Sequence, residues 1–259
     1  MRVTVCELPD HPEAFDGAWR GLVAHVRAAG SEVVLLPELP FAPWFATRRE
    51  FEPATWRAVV ERHEAWLARL GELAPAAVLS TRPVEPSEGR FNEGYVWDVA
   101  GGLRAVHRKR YLPDEPAYWE ASWYRRGATA MPPVVRCGDA AVSFRICSEL
   151  WFLAEARALG KQGVHLLAAP RATPTAGADR WTAAGRVAAI VAGAFCLSSN
   201  RSGPSARAPG LVFAGNGWII SPEGELLGLT SSAEPFVTRD VDLAQAERAK
   251  TTYPRYVAD

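Results

Sequence analysis

Residues 2–36 read RVTVCELPDHPEAFDGAWRGLVAHVRAAGSEVVLL and set the pattern that the rest of the fold follows. Two short apolar runs, at 2–6 and 33–36, predict buried strands. Between them the apolar residues of 12–30 recur at helical spacing, and Gly30 stands where a helix C-cap is expected. A strand, a helix and a second strand in this order predict two parallel neighbours in one sheet.

The remaining chain continues this alternation of helices and strands. Two alternating runs at 91–99 and 103–109 predict an antiparallel hairpin, and the proline- and aromatic-rich residues 110–132 predict a long functional loop. Further strands are predicted at 76–81, 134–137, 140–146, 164–169, 195–199, 211–220, 226–230 and 236–241, and helices at 53–73, 151–161, 180–193 and 242–249. Because no linker or repeat interrupts this order, residues 1–259 are expected to form one α/β domain; three-layer and four-layer arrangements stay open.

The composition is that of an ordinary globular protein, with 48% hydrophobic and 22% charged residues in a chain of 259. Lys and Arg together number 29, as do Asp and Glu, and this zero net charge argues against a nucleic-acid partner. The sequence has neither an apolar stretch long enough to span a membrane nor a signal-peptide pattern at its N-terminus, so no membrane association is expected. Four scattered cysteines without a CxxC pair predict free thiols and a cytoplasmic location.

Cys147 stands in the stretch RICSELWF, residues 145–152, where a strand-like run stops and a helix-like run begins. A thiol at this position can point towards the dipole of the following helix, which favours thiolate. Cys6, Cys137 and Cys196 lie inside apolar runs, where an inert buried thiol is the usual outcome. Cys147 is therefore the candidate nucleophile, with a buried unreactive thiol as the alternative.

The usual partner of a catalytic cysteine, a histidine, is not evident in the sequence. None of the five histidines lies in a loop beside a polar orienting residue, so a papain-like site is not favoured. The pair His63-Glu64 lacks a second histidine four residues after the first, and no other cluster has the spacing of metal ligands. The sequence therefore predicts no metal site.

Two other charged residues follow predicted strands. Glu38 stands in LLPELPF, residues 35–41, between Pro37 and Pro40, whose rings fix the backbone around the carboxylate. Lys109, in HRKRYLP, ends a hairpin strand directly before the long loop. Solvated surface charges are the alternative for both residues. If both side chains point inward, they meet Cys147 at strand ends on one side of the sheet.

In this order and at this spacing, Glu38, Lys109 and Cys147 resemble the Glu-Lys-Cys triad of the nitrilase superfamily of carbon–nitrogen hydrolases. SSNRSG (198–203) and GWIISPEGELL (217–227) resemble later strands of this family, so the resemblance covers nearly the whole chain. The resemblance implies a four-layer α-β-β-α sandwich with two mixed β-sheets, usually assembled as a homodimer.

Within the superfamily, CSELWFLAEARALGKQG (147–163) is similar to the carbamoylputrescine-amidase-type members. So is KRYLPDEPAYWEASWY (109–124), which puts Glu120 where the family has a second, supporting glutamate. The chain departs from the family at Leu153-Ala154, where Pro-Glu is common, and Glu155 follows one place later. Relatives that hydrolyse N-carbamoyl-D-amino acids carry arginines at the positions of Leu150 and Trp151, which argues against that substrate class.

The resemblance implies hydrolysis of a linear amide or N-carbamoyl amine through a thioester on Cys147, with no metal or organic cofactor. In this mechanism Glu38 is the general base and Lys109 favours the thiolate. Lys109 and the backbone N–H of Ser148 bind the oxyanion. Glu120 either holds Lys109 charged and oriented or binds an amino group of the substrate.

Aromatic residues near these motifs are expected to line the substrate pocket, in particular Trp44, Tyr118 and Trp151. Arg171, in APRATP (169–174), either grips a substrate carboxylate or pairs with Glu149 or Glu155 for structure. The partner is expected to be a small-molecule substrate. Three alternative functions stay open: nitrile hydrolysis by the same triad, acyl transfer to an amine, and non-catalytic binding by a protein that retains the fold.

Overall fold

The computed structural model describes residues 1–128 and 131–258. Its strands are β1 (Arg2–Pro9), β2 (Val33–Leu35), β3 (Ala77–Val84), β4 (Phe91–Asp98), β5 (Gly102–Arg108), β6 (Val135–Cys137), β7 (Ala140–Phe144), β8 (Leu166–Arg171), β9 (Phe195–Pro204), β10 (Val212–Ala214), β11 (Trp218–Ile220), β12 (Leu226–Leu229) and β13 (Phe236–Asp240). Its helices are α1 (Pro12–Ala29), α2 (Pro53–Leu67), α3 (Glu120–Trp123), α4 (Leu153–Lys161), α5 (Ala178–Ala192) and α6 (Leu243–Ala249), with 3-10 helices at Leu70–Leu73 and Cys147–Trp151.

β1, α1 and β2 form the predicted parallel unit. Val3 and Val5 pair with Val33 and Leu35 in a parallel register. α1 ends at Gly30, whose φ of 61° is the left-handed conformation that closes helices. The helical spacing of 12–30 therefore accounts for the parallel direction of β2, and Gly30 marks the end of α1.

The strands form two mixed sheets that are joined through β1. The first sheet has the order β5-β4-β3-β2-β1, with β13 antiparallel to β1, and the second has the order β9-β8-β7-β6. β10 and β11 extend the second sheet beside β9, and β12 pairs with β11. The first half of β1 pairs with β2, whereas residues 7–9 pair with 200–202 of β9, so hydrogen bonding continues from one sheet into the other.

Alternation of side chains along the strands places the two sheets face to face, because successive residues point to opposite faces. Val5 of β1 and Leu166 of β8 lie in a central core between the sheets. Cys6 points the other way, into the core beneath α1 and α2, and Leu167 into the core beneath α4 and α5. The arrangement is the four-layer α-β-β-α sandwich that the resemblance implies.

The segment around Cys147 differs from its prediction. The helix predicted over 151–161 begins as α4 at Leu153, because Cys147–Trp151 forms a separate 3-10 helix. The long loop 110–132 contains the single turn of α3, and its residues 129–130 lie outside the described part of the chain.

Two other element boundaries differ as well. The helix predicted over 53–73 ends at Leu67, before a 3-10 turn. The strand predicted over 211–220 is divided into β10 and β11, since Gly215 and Asn216 turn the chain with φ values of 61° and 52°. Across residues 1–128 and 131–258, no helix combines the length and the apolar character needed to cross a membrane.

Candidate active site

The structure brings Glu38, Lys109 and Cys147 together in the interior. Glu38 follows β2, Lys109 follows β5 and Cys147 follows β7, each within three residues of the strand end. The side chains of Glu38 and Lys109 are fully buried, and Cys147 is 5% exposed. The Lys109 Nζ atom donates to Glu38 Oε1 at 2.7 Å, and the charges of both residues act on the Cys147 thiol. Neither residue is therefore a solvated surface charge.

Glu120 completes the surroundings of Lys109. Both of its carboxylate oxygens accept from Lys109 Nζ, Oε1 at 2.9 Å and Oε2 at 2.7 Å, and Oε2 also accepts from the Tyr124 hydroxyl. Burial acts to lower the pKa of Lys109, but the carboxylates of Glu120 and Glu38 outweigh it and raise that pKa above its ordinary value. Lys109 is therefore held as an ammonium between two buried carboxyl groups.

The Glu120 carboxyl lies close to a second acid and has an unusual pKa for this reason. Burial raises the pKa of Glu120, Lys109 lowers it and Glu38 raises it again, with a net value of about 7. Two buried carboxyl groups thus share one ammonium, which is an arrangement typical of functional sites.

The Glu38 carboxylate has one occupied and one open oxygen. Oε1 accepts from Lys109 and, at 2.8 Å, from Asn92 Nδ2, whereas Oε2 has no partner among the described residues. The backbone is fixed as well, since Arg201 Nε donates to the Glu38 carbonyl at 3.1 Å. Leu39, the next residue, has a strained φ of 45°. Oε2 therefore belongs to a carboxyl group whose backbone is held in place, and it can accept a further hydrogen bond.

Cys147 begins its 3-10 helix with a φ of 49°, a conformation that non-glycine residues rarely adopt. The backbone N–H of Ala172 acts to lower the pKa of its thiol, as the smallest of several effects. Burial raises the pKa of the thiol, Glu38 raises it further, and Lys109 only partly opposes them. Lys109 therefore acts in the predicted direction, towards the thiolate, but burial and Glu38 outweigh it, and the helix that follows is one short 3-10 helix.

A buried glutamate holds the turn that carries the nucleophile. Glu149 accepts from His107 Nε2 at 2.8 Å, from the backbone N–H of Arg110 at 2.8 Å and from that of Ile146 at 2.9 Å. Burial acts to raise the pKa of Glu149, but the hydrogen bond and charge of His107, the charge of Arg145 and the Arg110 N–H together outweigh it, and the net pKa is lowered. Since His107 and Arg110 flank Lys109 in the chain, Glu149 fixes the lysine strand and the cysteine turn relative to each other.

Arg145 and Glu155 also stabilise the turn that carries Cys147. The Arg145 guanidinium pairs with Glu155 and donates to the carbonyl oxygens of Glu149 and Phe152. Glu155 lies in the first turn of α4 and also accepts from the Tyr111 hydroxyl at 2.6 Å. Glu155 therefore anchors the start of α4, one place after Leu153-Ala154, the positions where the family commonly has Pro-Glu.

A cavity of about 280 Å³ opens onto the Cys147 thiol. Its inner wall holds Glu120, Ser148 and Thr173 next to Cys147, and Tyr118, Trp151 and Trp181 line its sides. The rings of Trp151 and Trp181 lie 5.2 Å apart, and Trp151 is 47% exposed, so the aromatic wall reaches the surface. The remaining lining residues are Pro113, Glu115, Ala172, Pro174, Ala176, Gly177 and Arg180, of which Glu115, Ala176 and Arg180 are exposed at the mouth.

Only two of the four predicted pocket residues lie on the wall of the cavity. Tyr118 and Trp151 line the cavity. Trp44 does not: it is fully buried, donates from Nε1 to the Ala117 carbonyl at 2.9 Å and packs its ring 5.9 Å from that of Tyr118. Trp44 therefore supports the wall from behind.

Arg171 takes neither of its two predicted roles. It is 1% exposed and does not line the cavity. Its guanidinium donates to Ser198 Oγ, Thr173 Oγ1 and the Asn216 carbonyl, each at 2.7 Å, rather than to Glu149 or Glu155. The reason is that β8 directs this side chain towards Ser198 of β9 and the turn before β11, behind the cavity-lining Thr173.

Several residues of the site went unnoticed in the sequence. Glu149, paired with His107, accepts from the backbone N–H groups of Ile146 and Arg110, and Asn92 donates to Glu38, all between distant segments of the chain. Only the positions of His107 and Glu149, each two residues from a motif residue, offered a signal. Across the described ranges, no three His, Cys, Asp or Glu side chains are grouped so that they could bind a metal ion.

With this geometry in place, the chain can be compared with known proteins. The sequence model of the carbon-nitrogen hydrolase family matches residues 2–251, and the chain therefore belongs to this family. It is a hydrolase that acts on carbon–nitrogen bonds, as the matched relatives are.

Within this family the chain is similar to N-carbamoylputrescine amidases. The one from Arabidopsis thaliana is 27% identical over 251 residues, which cover 88% of this chain and 81% of the relative. The one from Solanum tuberosum is 28% identical over 236 residues, which cover 82% and 76%.

Solved structures share the fold. The carbon-nitrogen hydrolase from Helicobacter pylori G27 superposes with a TM-score of 0.86 at 19% identity, covering 99% of this chain and 94% of that one. A cysteine-to-alanine mutant of the amidase from Nesterenkonia sp. AN1, in complex with butyramide, superposes with a TM-score of 0.78 at 22% identity, covering 96% and 93%. The fold class predicted from the sequence is confirmed.

Proposed function

We propose that the protein hydrolyses a linear amide or N-carbamoyl amine through a thioester on Cys147. One observation carries the proposal: a permanently charged Lys109 lies between Glu38 and Glu120, beside a buried thiol that faces a cavity. The open Oε2 of Glu38 is the one atom of this group with no hydrogen-bond partner among the described residues. The group therefore has a base, a nucleophile and a fixed positive charge in one place.

In the first step the thiol transfers its proton to Glu38 Oε2 while its sulfur attacks the carbonyl carbon. A carbon–sulfur bond forms, and the π electrons of the carbonyl move onto its oxygen. The Lys109 ammonium and the backbone N–H of Ser148 stabilise that oxyanion. Because burial and Glu38 raise the pKa of the thiol, attack and proton transfer to Glu38 belong to the same step.

In the second step the oxyanion reforms the carbonyl and the carbon–nitrogen bond breaks. Glu38 returns its proton to the leaving nitrogen, so that ammonia or an amine departs and the acyl group stays on sulfur. Glu38 then takes a proton from a water molecule, whose oxygen attacks the thioester. The carbon–sulfur bond breaks, the thiol regains its proton, and the acid product leaves.

A panel of linear substrates tests this proposal. Butyramide, N-carbamoylputrescine and butyronitrile are incubated with the full-length protein, and the released ammonia or amine is measured. We expect turnover of the amide or the carbamoyl amine and little of the nitrile. Release from none of the three would contradict the proposed function, and release from the nitrile alone would replace it with nitrile hydrolysis.

The mouth of the cavity carries two opposite charges that give a sharper test of substrate choice. Glu115 and Arg180 both line it, and no ion pair involving either is found in residues 1–128 and 131–258. N-carbamoylputrescine ends in an ammonium, which Glu115 attracts and Arg180 repels. We therefore expect Glu115→Gln to raise its KM about two- to fivefold and Arg180→Gln to lower it by a similar factor. This is the range of a contact between exposed charges.

Butyramide is the matched control for these two variants, because its far end is neutral. Its KM is expected to stay within about twofold in both, since neither charge has a partner on it. Equal shifts for butyramide and N-carbamoylputrescine would contradict a charge-based selection at the mouth.

We further propose that residues 1–259 form one domain, that two chains associate as a homodimer, and that the enzyme works in the cytoplasm. The family resemblance supports the first two statements. The third is supported by Cys6, Cys137, Cys147 and Cys196, which are all free thiols, as expected in a reducing compartment. Sedimentation velocity of the full chain measures the assembly directly.

A further inference from the structure

Arg171 is a buried cation without a carboxylate partner. It is 1% exposed, and its three measured hydrogen bonds go to two hydroxyl groups and one backbone carbonyl. No ion pair of Arg171 occurs within the described residues, and its guanidinium lies 3.9 Å from the centre of the Trp218 ring. Buried charges in proteins are usually paired, so an uncompensated guanidinium needs a reason.

The arginine lies at the point where β8 meets the active site. The Arg171 carbonyl accepts from the Glu38 N–H at 3.2 Å, and the guanidinium donates at 2.7 Å to the hydroxyl of Thr173, a residue that lines the cavity together with Cys147. One side chain therefore separates the cation from the cavity, and its charge interacts favourably with an anionic Cys147. Burial lowers the pKa of the guanidinium to about 9, so it still carries its charge at neutral pH.

Arg171 adds a second positive charge to the surroundings of the thiol. In the proposed mechanism Glu38 carries a negative charge before the attack, and Lys109 pairs with it. Glu120, whose pKa is about 7, adds a further negative charge in part of the molecules at neutral pH. A second cation offsets this charge and favours an anionic sulfur or oxyanion, although it does not line the cavity.

We propose that Arg171 is a positioning residue of electrostatic type, whose uncompensated charge favours the anionic sulfur and the oxyanion during acylation. This inference rests on the proposed function, because it concerns the same nucleophile. It differs from a purely structural role, in which the hydrogen bonds to Ser198, Thr173 and Asn216 alone would account for the arginine.

The pH dependence of Cys147 alkylation separates the two roles. Iodoacetamide forms a carbon–sulfur bond with the thiolate and expels iodide, and Cys147→Ala supplies the blank for the other thiols. Arg171→Gln removes the charge but keeps a donor, Arg171→Lys keeps the charge, and Ser198→Asp adds a carboxylate at the Arg171 Nε contact. Ser198→Ala is the matched control, since it removes that hydrogen bond alone.

The other groups that act on Cys147 or Arg171 stay unchanged throughout the series. They come from each neighbouring element: Glu38 after β2, Lys109 after β5, Tyr118 and Glu120 at the loop and α3, and Cys196 on β9. A difference in alkylation rate between variants therefore reports whether the positive charge of residue 171 is present and uncompensated.

At pH 7 we expect alkylation about tenfold slower in Arg171→Gln and Ser198→Asp, with the midpoint of the pH profile raised by about one unit. Arg171→Lys and Ser198→Ala are expected to stay within about threefold of the wild type. Superposable profiles for the wild type and a folded neutralised variant would overturn the proposal. So would failure of both neutralised variants to fold while Arg171→Lys folds, because that assigns a structural role.

The alkylation series does not depend on amide turnover. If the wild type releases nothing from the substrate panel, the proposed function fails, while the alkylation rates still decide the role of Arg171. If the panel succeeds and the profiles superpose, only the inference on Arg171 fails.

Discussion

Cys147→Ala is expected to abolish amide turnover, with kcat at least about 10⁴-fold below that of the wild type, because the covalent route is lost. The alanine methyl group has no nucleophile to attack the carbonyl carbon, and no other described thiol lines the cavity. The substrate still fits, since the lining of the cavity and the Glu38–Lys109–Glu120 group are unchanged. Ammonia or amine release and substrate binding by calorimetry are the two measurements.

Cys196→Ala is the matched control for this variant. Cys196 is also a fully buried thiol, with a pKa raised by burial to about 11, but it lies in the core beneath α5. We expect this variant to retain activity within a few-fold, so that a general effect of losing a buried sulfur is excluded. Cys147→Ala with more than about one per cent of wild-type turnover would show that the thiol is not the nucleophile.

Much of the fold follows from local patterns in the sequence. The parallel β1-α1-β2 unit follows from helical spacing that ends at Gly30, and the β4–β5 hairpin follows from two alternating runs. Both are short-range features, so side-chain period and a cap residue suffice to predict them. The joining of the two sheets through β1 is different, because it depends on pairing between residues 7–9 and 200–202.

The charged members of the site were predicted because they interrupt apolar runs at strand ends. Glu38 and Lys109 were recognisable for this reason, and their spacing to Cys147 gave the family resemblance. Arg171 has the same local appearance, yet its side chain packs against Trp218 instead of facing the cavity. The direction of a side chain at a strand end is set by the neighbouring strands, which a single segment does not specify.

The protonation state of Cys147 also depends on the whole fold. Its raised pKa comes first from burial and then from Glu38, and only afterwards does Lys109 act in the opposite direction. The family resemblance predicts that Lys109 lies near Cys147, but the sequence does not show how completely the folded protein excludes water from the two side chains. The degree of burial decides which of these effects dominates.

Glu38→Gln is expected to lower kcat about 10²- to 10³-fold while KM changes little, the range for removal of one group that acts in the transition state. The glutamine oxygen can still accept from Lys109 Nζ and Asn92 Nδ2, as Oε1 does now. The amide nitrogen replaces Oε2, however, and cannot take the proton of a thiol whose pKa is raised. Sulfur therefore remains protonated, and acylation becomes the slow step.

Rapid-mixing measurement of amine release identifies the step that is lost. Glu38→Gln should show no burst of the first product, because the thioester does not form at a useful rate. Glu120→Gln is the comparison variant: it replaces the other carboxylate of Lys109 but leaves the base at Glu38, so we expect a smaller loss, about tenfold. A burst of normal size in Glu38→Gln followed by accumulation of a stable thioester would confine Glu38 to the hydrolysis of that intermediate. In that case another group would have to accept the thiol proton, and Glu38 would act only on the water that releases the acid.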